Sequence, residues 1–135
     1  MVKKDQLIEK AKEARKYSYS PYSNFAVGAA LLCKDGSIFI GANIENSSFG
    51  LTMCAERNAI FQAYINGKQK KDIVALAIIA DTKTPVSPCG ACRQVMSELL
   101  NESVSIYLSN LKGDIAETNI KQLLPYAFVK EDLQN

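Results

Sequence analysis

Ile73-Val74-Ala75-Leu76-Ala77-Ile78-Ile79-Ala80 is the stretch on which the fold turns. The run is uninterruptedly apolar, and half of it is β-branched. It is short for a helix and reads as a central strand over 73–80. A second apolar run covers 25–33. It predicts a strand over 26–33 inside a sheet covered on both faces, joined through Asp35-Gly36 to a strand over 38–42.

Further out, residues 5–17 place Leu7, Ile8, Ala11 and Ala14 at helix spacing with charges between them. Pro21 breaks a loop over 18–24. Thr52 is a candidate cap for a helix over about 54–65, which Asn66-Gly67 ends. Pro88 opens a helix running to about residue 100. A strand over 104–108 follows, then a weaker strand and a short helix within 115–124, before Pro125. Strands alternating with helices predict an α/β protein with helices on both faces of the sheet. The expected architecture is a three-layer α/β/α domain around a mixed sheet of about five strands. The first hairpin is what makes the sheet mixed rather than parallel.

At 135 residues the chain is expected to be one domain, 1–135. Its 47% hydrophobic and 22% charged residues are those of a globular protein. A net charge of +2 is too weak to argue a nucleic-acid surface. The densest basic stretch, 68–71, lies in a glycine-containing connector and reads as a solvated turn. Neither apolar run approaches the ~18 residues of a membrane span, and residues 1–10 lack the apolar core of a signal peptide. The expected location is the cytoplasm, where four cysteines argue for metal or free thiols over disulfides.

The chemistry concentrates in Cys54-Ala55-Glu56 and Pro88-Cys89-Gly90-Ala91-Cys92. With no histidine in the chain, a transition metal must sit on sulfur and carboxylate. Cys89 and Cys92 are spaced to share one helical face. Helix starts favour thiolates, and in α/β folds they gather at the rim where ligands bind. Three thiolates leave a tetrahedral zinc with an open fourth position, the arrangement of catalytic zinc. Cys-x-x-Cys alone also suits a redox pair or half of a structural zinc site, but a redox pair needs neither Cys54 nor the adjacent Glu56. Cys54 and Glu56 are too close in sequence to face each other within a regular helix. Cys54 is therefore expected at the cap, in non-helical conformation. Cys33, ending an apolar strand, reads as a small buried hydrophobe. Three thiolates outweigh the two charges of zinc. Arg57, three residues after Cys54, can donate to sulfur and moderate that excess. Arg93 reads as a structural anchor.

These motifs resemble the zinc nucleoside deaminases. Where most branches carry His-x-Glu, this chain carries Cys-x-Glu, as in the short cytidine deaminases with three cysteine ligands. Ser20-Pro21-Tyr22-Ser23-Asn24-Phe25-Ala26-Val27-Gly28-Ala29-Ala30 resembles the first loop and strand of that family. Gly41-Ala42-Asn43-Ile44-Glu45-Asn46 resembles its ribose-binding segment, and Leu124-Pro125-Tyr126-Ala127-Phe128 its C-terminal segment. Similarity spans about 14–133. Blasticidin S deaminases share the zinc motifs, but the 43–46 segment fits cytidine better.

The resemblance implies one Zn²⁺ per subunit on Cys54, Cys89 and Cys92, with zinc-bound hydroxide attacking C4 of cytosine. Glu56 would be the proton shuttle and Arg57 the modulator of thiolate charge. Substrate contacts are implied for Phe25, Asn43, Glu45, Ala55 and Phe128, the last supplied by a neighbouring subunit of a homotetramer with active sites at its interfaces. Phe49 replaces the family's usual tyrosine. Asn43 and Glu45, two apart in an extended segment, point to one face and can grip a sugar hydroxyl. Without the family they read as turn chemistry at a strand end. A site built for a hydroxyl rejects analogues lacking it. The expected substrates are therefore cytidine and 2′-deoxycytidine but not free cytosine, with uridine and ammonia as products of pyrimidine salvage. No nucleic-acid or membrane partner is expected.

Overall fold

A computed structural model describes residues 3–134. Met1, Val2 and Asn135, the ends of the expected 1–135 unit, lie outside the described residues. Five strands form one sheet: β1 Val27–Cys33, β2 Ile38–Ala42, β3 Ile73–Ala80, β4 Ser105–Asn110 and β5 Ile115–Thr118. The order is β2-β1-β3-β4-β5, which puts the two fully apolar strands in the interior. The β3–β4 pair is parallel, and the other three pairs are antiparallel. The sheet is thus mixed, as the first hairpin requires, and β5 adds a second hairpin at the far edge.

Side-chain alternation along β1 and β3 explains why both strands had to be apolar throughout. Ala29, Leu31, Cys33, Leu76 and Ile78 face one core; Ala30, Leu32, Ala75, Ala77 and Ile79 face the other. Helix α1, Lys4–Arg15, covers the second face with Leu7 and Ala11. Helices α2, Ala55–Ile65, α3, Gly90–Leu99, and the short α4, Ile120–Leu123, cover the first. The result is three layers, α/β/α. Ile60 of α2 is fully buried, and burial of such a side chain stabilises by about 1.5–3 kcal/mol. The Tyr64 hydroxyl ties α2 to α3 by donating to the Leu99 carbonyl at 2.7 Å.

Two glycines set how closely helices meet the sheet. A Cβ on Gly28 would stand 2.0 Å from the Ala11 carbonyl oxygen of α1. One on Gly41 would stand 2.4 Å from the Ala55 carbonyl oxygen and 2.5 Å from the Ala59 nitrogen of α2. Gly41 therefore seats the first turn of α2 on β2.

Thr52 does not cap α2. It closes a 3-10 turn, Phe49–Leu51, and its hydroxyl accepts the Asn46 N–H at 3.2 Å. The cap is Cys54, two residues later. The Ile44–Met53 bridge holds the chain extended through that interval, so the helix cannot begin earlier.

Candidate metal centre and active site

Cys54 and Cys89 occupy the same structural position on different helices. Each is the N-cap of its helix in extended conformation: φ −75°, ψ 156° at Cys54 of α2, and φ −71°, ψ 167° at Cys89 of α3. Neither side chain caps the backbone N–H groups of its own helix, which leaves both sulfurs free to turn toward each other. Cys92, buried in the first turn of α3, completes the group. Cys54 Sγ lies 3.8 Å from Cys89 Sγ, and Cys89 Sγ lies 3.5 Å from Cys92 Sγ. All three sulfurs fall within 4.8 Å of one another. Zinc–sulfur bonds of about 2.3 Å in a tetrahedron put sulfurs about 3.8 Å apart. The donor set therefore fits zinc with a fourth position open.

The charge environment fits it too. Two helix N-termini converge on the sulfurs and favour negative charge. Arg57 Nη2 donates to Cys54 Sγ at 3.4 Å. Arg57 Nε is buried without a hydrogen-bond partner, the one such side-chain atom among the described residues. The half-buried guanidinium faces the sulfurs and would balance their thiolate charge when they ligate a metal. With protons in place of a metal, the Cys54 thiol is pulled down to about 5, first by the hydrogen bond from Cys92, then by that from Arg57, against the effect of burial. Cys92 moves the opposite way, chiefly through the same bond to Cys54.

Glu56, the second residue of α2, is 4% exposed. Burial pushes its carboxyl up, and the negative charge of Cys54 adds to that. Ala55 is fully buried behind it against Gly41. Cys33 is buried in the core, its thiol pushed up by burial, and is not among the clustered sulfurs.

Asn43 and Glu45 follow β2 in an extended segment. The Tyr19 N–H donates to the Asn43 carbonyl at 2.9 Å and the Glu45 N–H to the Tyr19 carbonyl at 2.8 Å. Both side chains are buried while Ile44 between them is exposed, so they share a face. Sequence reasoning missed what they meet. Asn43 Oδ1 accepts the Ser18 hydroxyl at 2.5 Å and the Val27 N–H at 2.9 Å, and Nδ2 donates to the Phe25 carbonyl at 2.8 Å. Glu45 accepts from the Tyr22 and Ser23 N–H groups, both at 3.1 Å, and from the Ser23 hydroxyl. These bonds hold its carboxyl below the usual range, the Ser23 hydroxyl most of all. The one local hint was the run of serines over 18–23, residues prone to side-chain hydrogen bonds, and it names no partner.

Phe25 leaves this loop 40% exposed. Phe128 is 58% exposed, and Gln94 Nε2 holds its carbonyl at 2.8 Å. Arg93 bonds the Pro88 carbonyl at 2.8 Å, the Leu123 carbonyl at 2.6 Å and the Ser87 hydroxyl at 2.8 Å. It ties the start of α3 to the end of α4, an anchor rather than a metal neighbour. Phe49 is exposed on its 3-10 turn.

Residues 1–108 match the family model for the cytidine and deoxycytidylate deaminase zinc-binding region. A cytidine deaminase of Halalkalibacterium halodurans is 57% identical over 132 residues, covering 98% of each chain. One from Sporosarcina psychrophila is 57% identical over 129 residues, covering 96% of this chain and 93% of its own. The crystal structure of cytidine deaminase from Burkholderia pseudomallei superposes with a TM-score of 0.92 at 48% identity, over 94% of this chain and all of that one.

Proposed function

The chain belongs to the family of zinc-binding cytidine deaminases, and from that premise we propose that it hydrolyses cytidine and 2′-deoxycytidine to uridine and 2′-deoxyuridine with release of ammonia. The observation that carries the reading is the meeting of three sulfurs from two helix starts beside a buried carboxylate. Cys54, Cys89 and Cys92 would hold the zinc, which would supply Lewis acidity and activate a water as nucleophile at neutral pH. The other steps belong to the chain. Glu56 takes a proton from the attacking water and delivers it to N3 of the ring. It then takes the proton of the hydroxyl newly bonded to C4 and delivers it to the amino group, so that the C4–N bond breaks as the C4 carbonyl forms. One carboxyl serves throughout because each proton it gives is one it has taken. Arg57 draws charge from the Cys54 sulfur, which keeps three thiolates from quenching the Lewis acidity of the metal.

On the substrate side, Phe25 packs against the pyrimidine, Ala55 lines the floor, and Asn43 with Glu45 holds the ribose 3′-hydroxyl. Phe128 completes the site of a neighbouring subunit in a homotetramer whose active sites lie at the interfaces. Exposed apolar side chains support that assembly: Tyr17, Ile40, Ile44, Phe49, Leu51, Tyr126 and Phe128. Of these, Tyr17, Ile40 and Ile44 line one open cavity together, a grouping that suits an interface better than apolar residues scattered singly. The chain acts as a single catalytic domain in cytoplasmic pyrimidine salvage, a reducing setting that suits its four unpaired cysteines.

The test is direct. Zinc-loaded protein is incubated with cytidine, 2′-deoxycytidine and free cytosine, with and without a chelator. Both nucleosides should be converted and the chelator should stop conversion. Cytosine should be slower by about 10⁴ in kcat/KM, since a site built around a hydroxyl rejects what lacks it. No conversion of cytidine by the loaded protein would overturn the reading.

A further inference from the structure

Ser23 is engaged three times. Its hydroxyl donates to Glu45 Oε2 and accepts the Phe25 N–H at 3.0 Å, while its own N–H donates to Glu45 Oε1 at 3.1 Å. Asn24, next in the chain, has φ 55°, a left-handed conformation that asparagine tolerates better than most residues. It turns the backbone between Ser23 and Phe25. One hydroxyl thus links the carboxylate assigned to the sugar with the backbone of the aromatic assigned to the base.

Counting donors and acceptors shows what this linkage leaves free. A carboxylate offers about four lone-pair sites. Both on Oε1 are used, by the Tyr22 and Ser23 N–H groups, and one on Oε2 is used by the Ser23 hydroxyl. Both on Asn43 Oδ1 are used, by the Ser18 hydroxyl and the Val27 N–H, and one of its two N–H donors goes to Phe25. One acceptor site on Glu45 and one donor on Asn43 remain. Together they complement a hydroxyl, which both donates and accepts.

We propose that Ser23 is a positioning residue for sugar recognition: its hydroxyl fixes Glu45 so that the remaining site on Oε2 meets a substrate hydroxyl, and it couples that carboxylate to Phe25. The inference rests on the reading of Asn43 and Glu45 as a sugar-hydroxyl clamp. Without the Ser23 hydroxyl, Glu45 keeps two N–H donors on one oxygen only, and the other oxygen turns to water.

The experiment compares the zinc-loaded enzyme with its Ser23→Ala and Ser23→Thr variants on cytidine and on 3′-deoxycytidine, with zinc content and melting temperature measured on each. Loss of one hydrogen bond to a charged group is expected to raise KM for cytidine about tenfold in Ser23→Ala. The kcat should stay within about threefold, since Ser23 touches none of the reacting atoms. Preference for cytidine over 3′-deoxycytidine should fall by a similar factor, and Ser23→Thr should restore most of both because it keeps the hydroxyl. Unchanged KM and unchanged preference in Ser23→Ala would overturn the inference. So would equal losses on both nucleosides that threonine does not rescue. If the unsubstituted enzyme itself fails to prefer cytidine over 3′-deoxycytidine, the clamp reading falls first and the inference with it.

Discussion

The corner of the three clustered cysteines and the corner of Asn43 and Glu45 are held by different forces. Cys54, Glu56, Cys89 and Cys92 sit at the starts of two helices pressed onto a sheet, with Ala55, Ala59 and Cys92 fully buried around them. Asn43 and Glu45 instead hold an exposed loop through side-chain hydrogen bonds to Ser18, Tyr22, Ser23, Phe25 and Val27. Packing is stiff, because a dense core cannot yield by half an ångström without loss elsewhere. A loop wired by hydrogen bonds can yield one bond at a time. Perturbing the first corner should therefore damage fold, metal and rate together, while perturbing the second should separate binding from turnover.

The largest effect expected isolates chemistry from packing. Glu56→Gln keeps volume and helix but removes the carboxyl proposed to shuttle protons, and kcat should fall by at least about 10²–10⁴ with zinc retained. Turnover within tenfold of the unsubstituted enzyme would move the proton transfers to another group. Next comes packing itself. Gly41→Ala pushes a methyl into the Ala55 carbonyl at 2.4 Å, and backbone cannot move aside cheaply. It should destabilise by about 1–3 kcal/mol in urea titration and shed zinc as well. Gly28→Ala, equally crowded but against α1, should lose stability and keep the metal. Equal zinc loss in both variants would dissolve the distinction between the two sides of the sheet.

Arg57→Ala tests the charge argument. Groups supporting metal ligands are typically worth about 10–100-fold in affinity or activity, and zinc competition assays should show a loss of that order together with slower turnover. Unchanged zinc content and rate would remove Arg57 from the site. The smallest effect is expected far from both corners. Lys68 Nζ meets Asp35 Oδ2 at 2.6 Å, pinning the β1–β2 turn to the connector before β3. That bond, ahead of those from Ser37, holds the Asp35 carboxyl well below its usual range. A carboxyl whose folded pKa lies below the unfolded value of 3.8 contributes fully above that value. The contribution is lost as pH falls through the folded pKa. Asp35→Asn should thus lower the melting temperature slightly near neutral pH, and the difference should close as pH drops below about 4. A gap that widens in acid would contradict the linkage.

Much of this was legible in residue order. The run over 73–80 could only be an interior strand, since both of its faces are apolar, and β3 occupies the sheet centre between β1 and β4. The conflict between Cys54 and Glu56 at a spacing of two required a cap at Cys54, and the backbone there is extended. Other features were out of reach. Thr52 had the right chemistry for a cap, but the Ile44–Met53 bridge claimed the chain on either side of it. The second hairpin followed a weak strand with little pattern of its own. The partners of Asn43 and Glu45 lie 16 to 25 residues away in sequence, and no local rule pairs them.

By itself, the sequence determined the donor chemistry: sulfur without imidazole, one carboxylate beside it, and helix starts to stabilise thiolates. Those properties belong to residue types and to spacings of three or four positions, where backbone geometry dictates what meets. Tertiary structure alone decided that two helix starts converge to within 4.8 Å of sulfur–sulfur separation. It also decided that Gly41 brings α2 down onto β2 and that a serine hydroxyl in an exposed loop steadies a buried glutamate. These depend on contacts between distant segments, which form only when the sheet has closed and its two faces have chosen their helices.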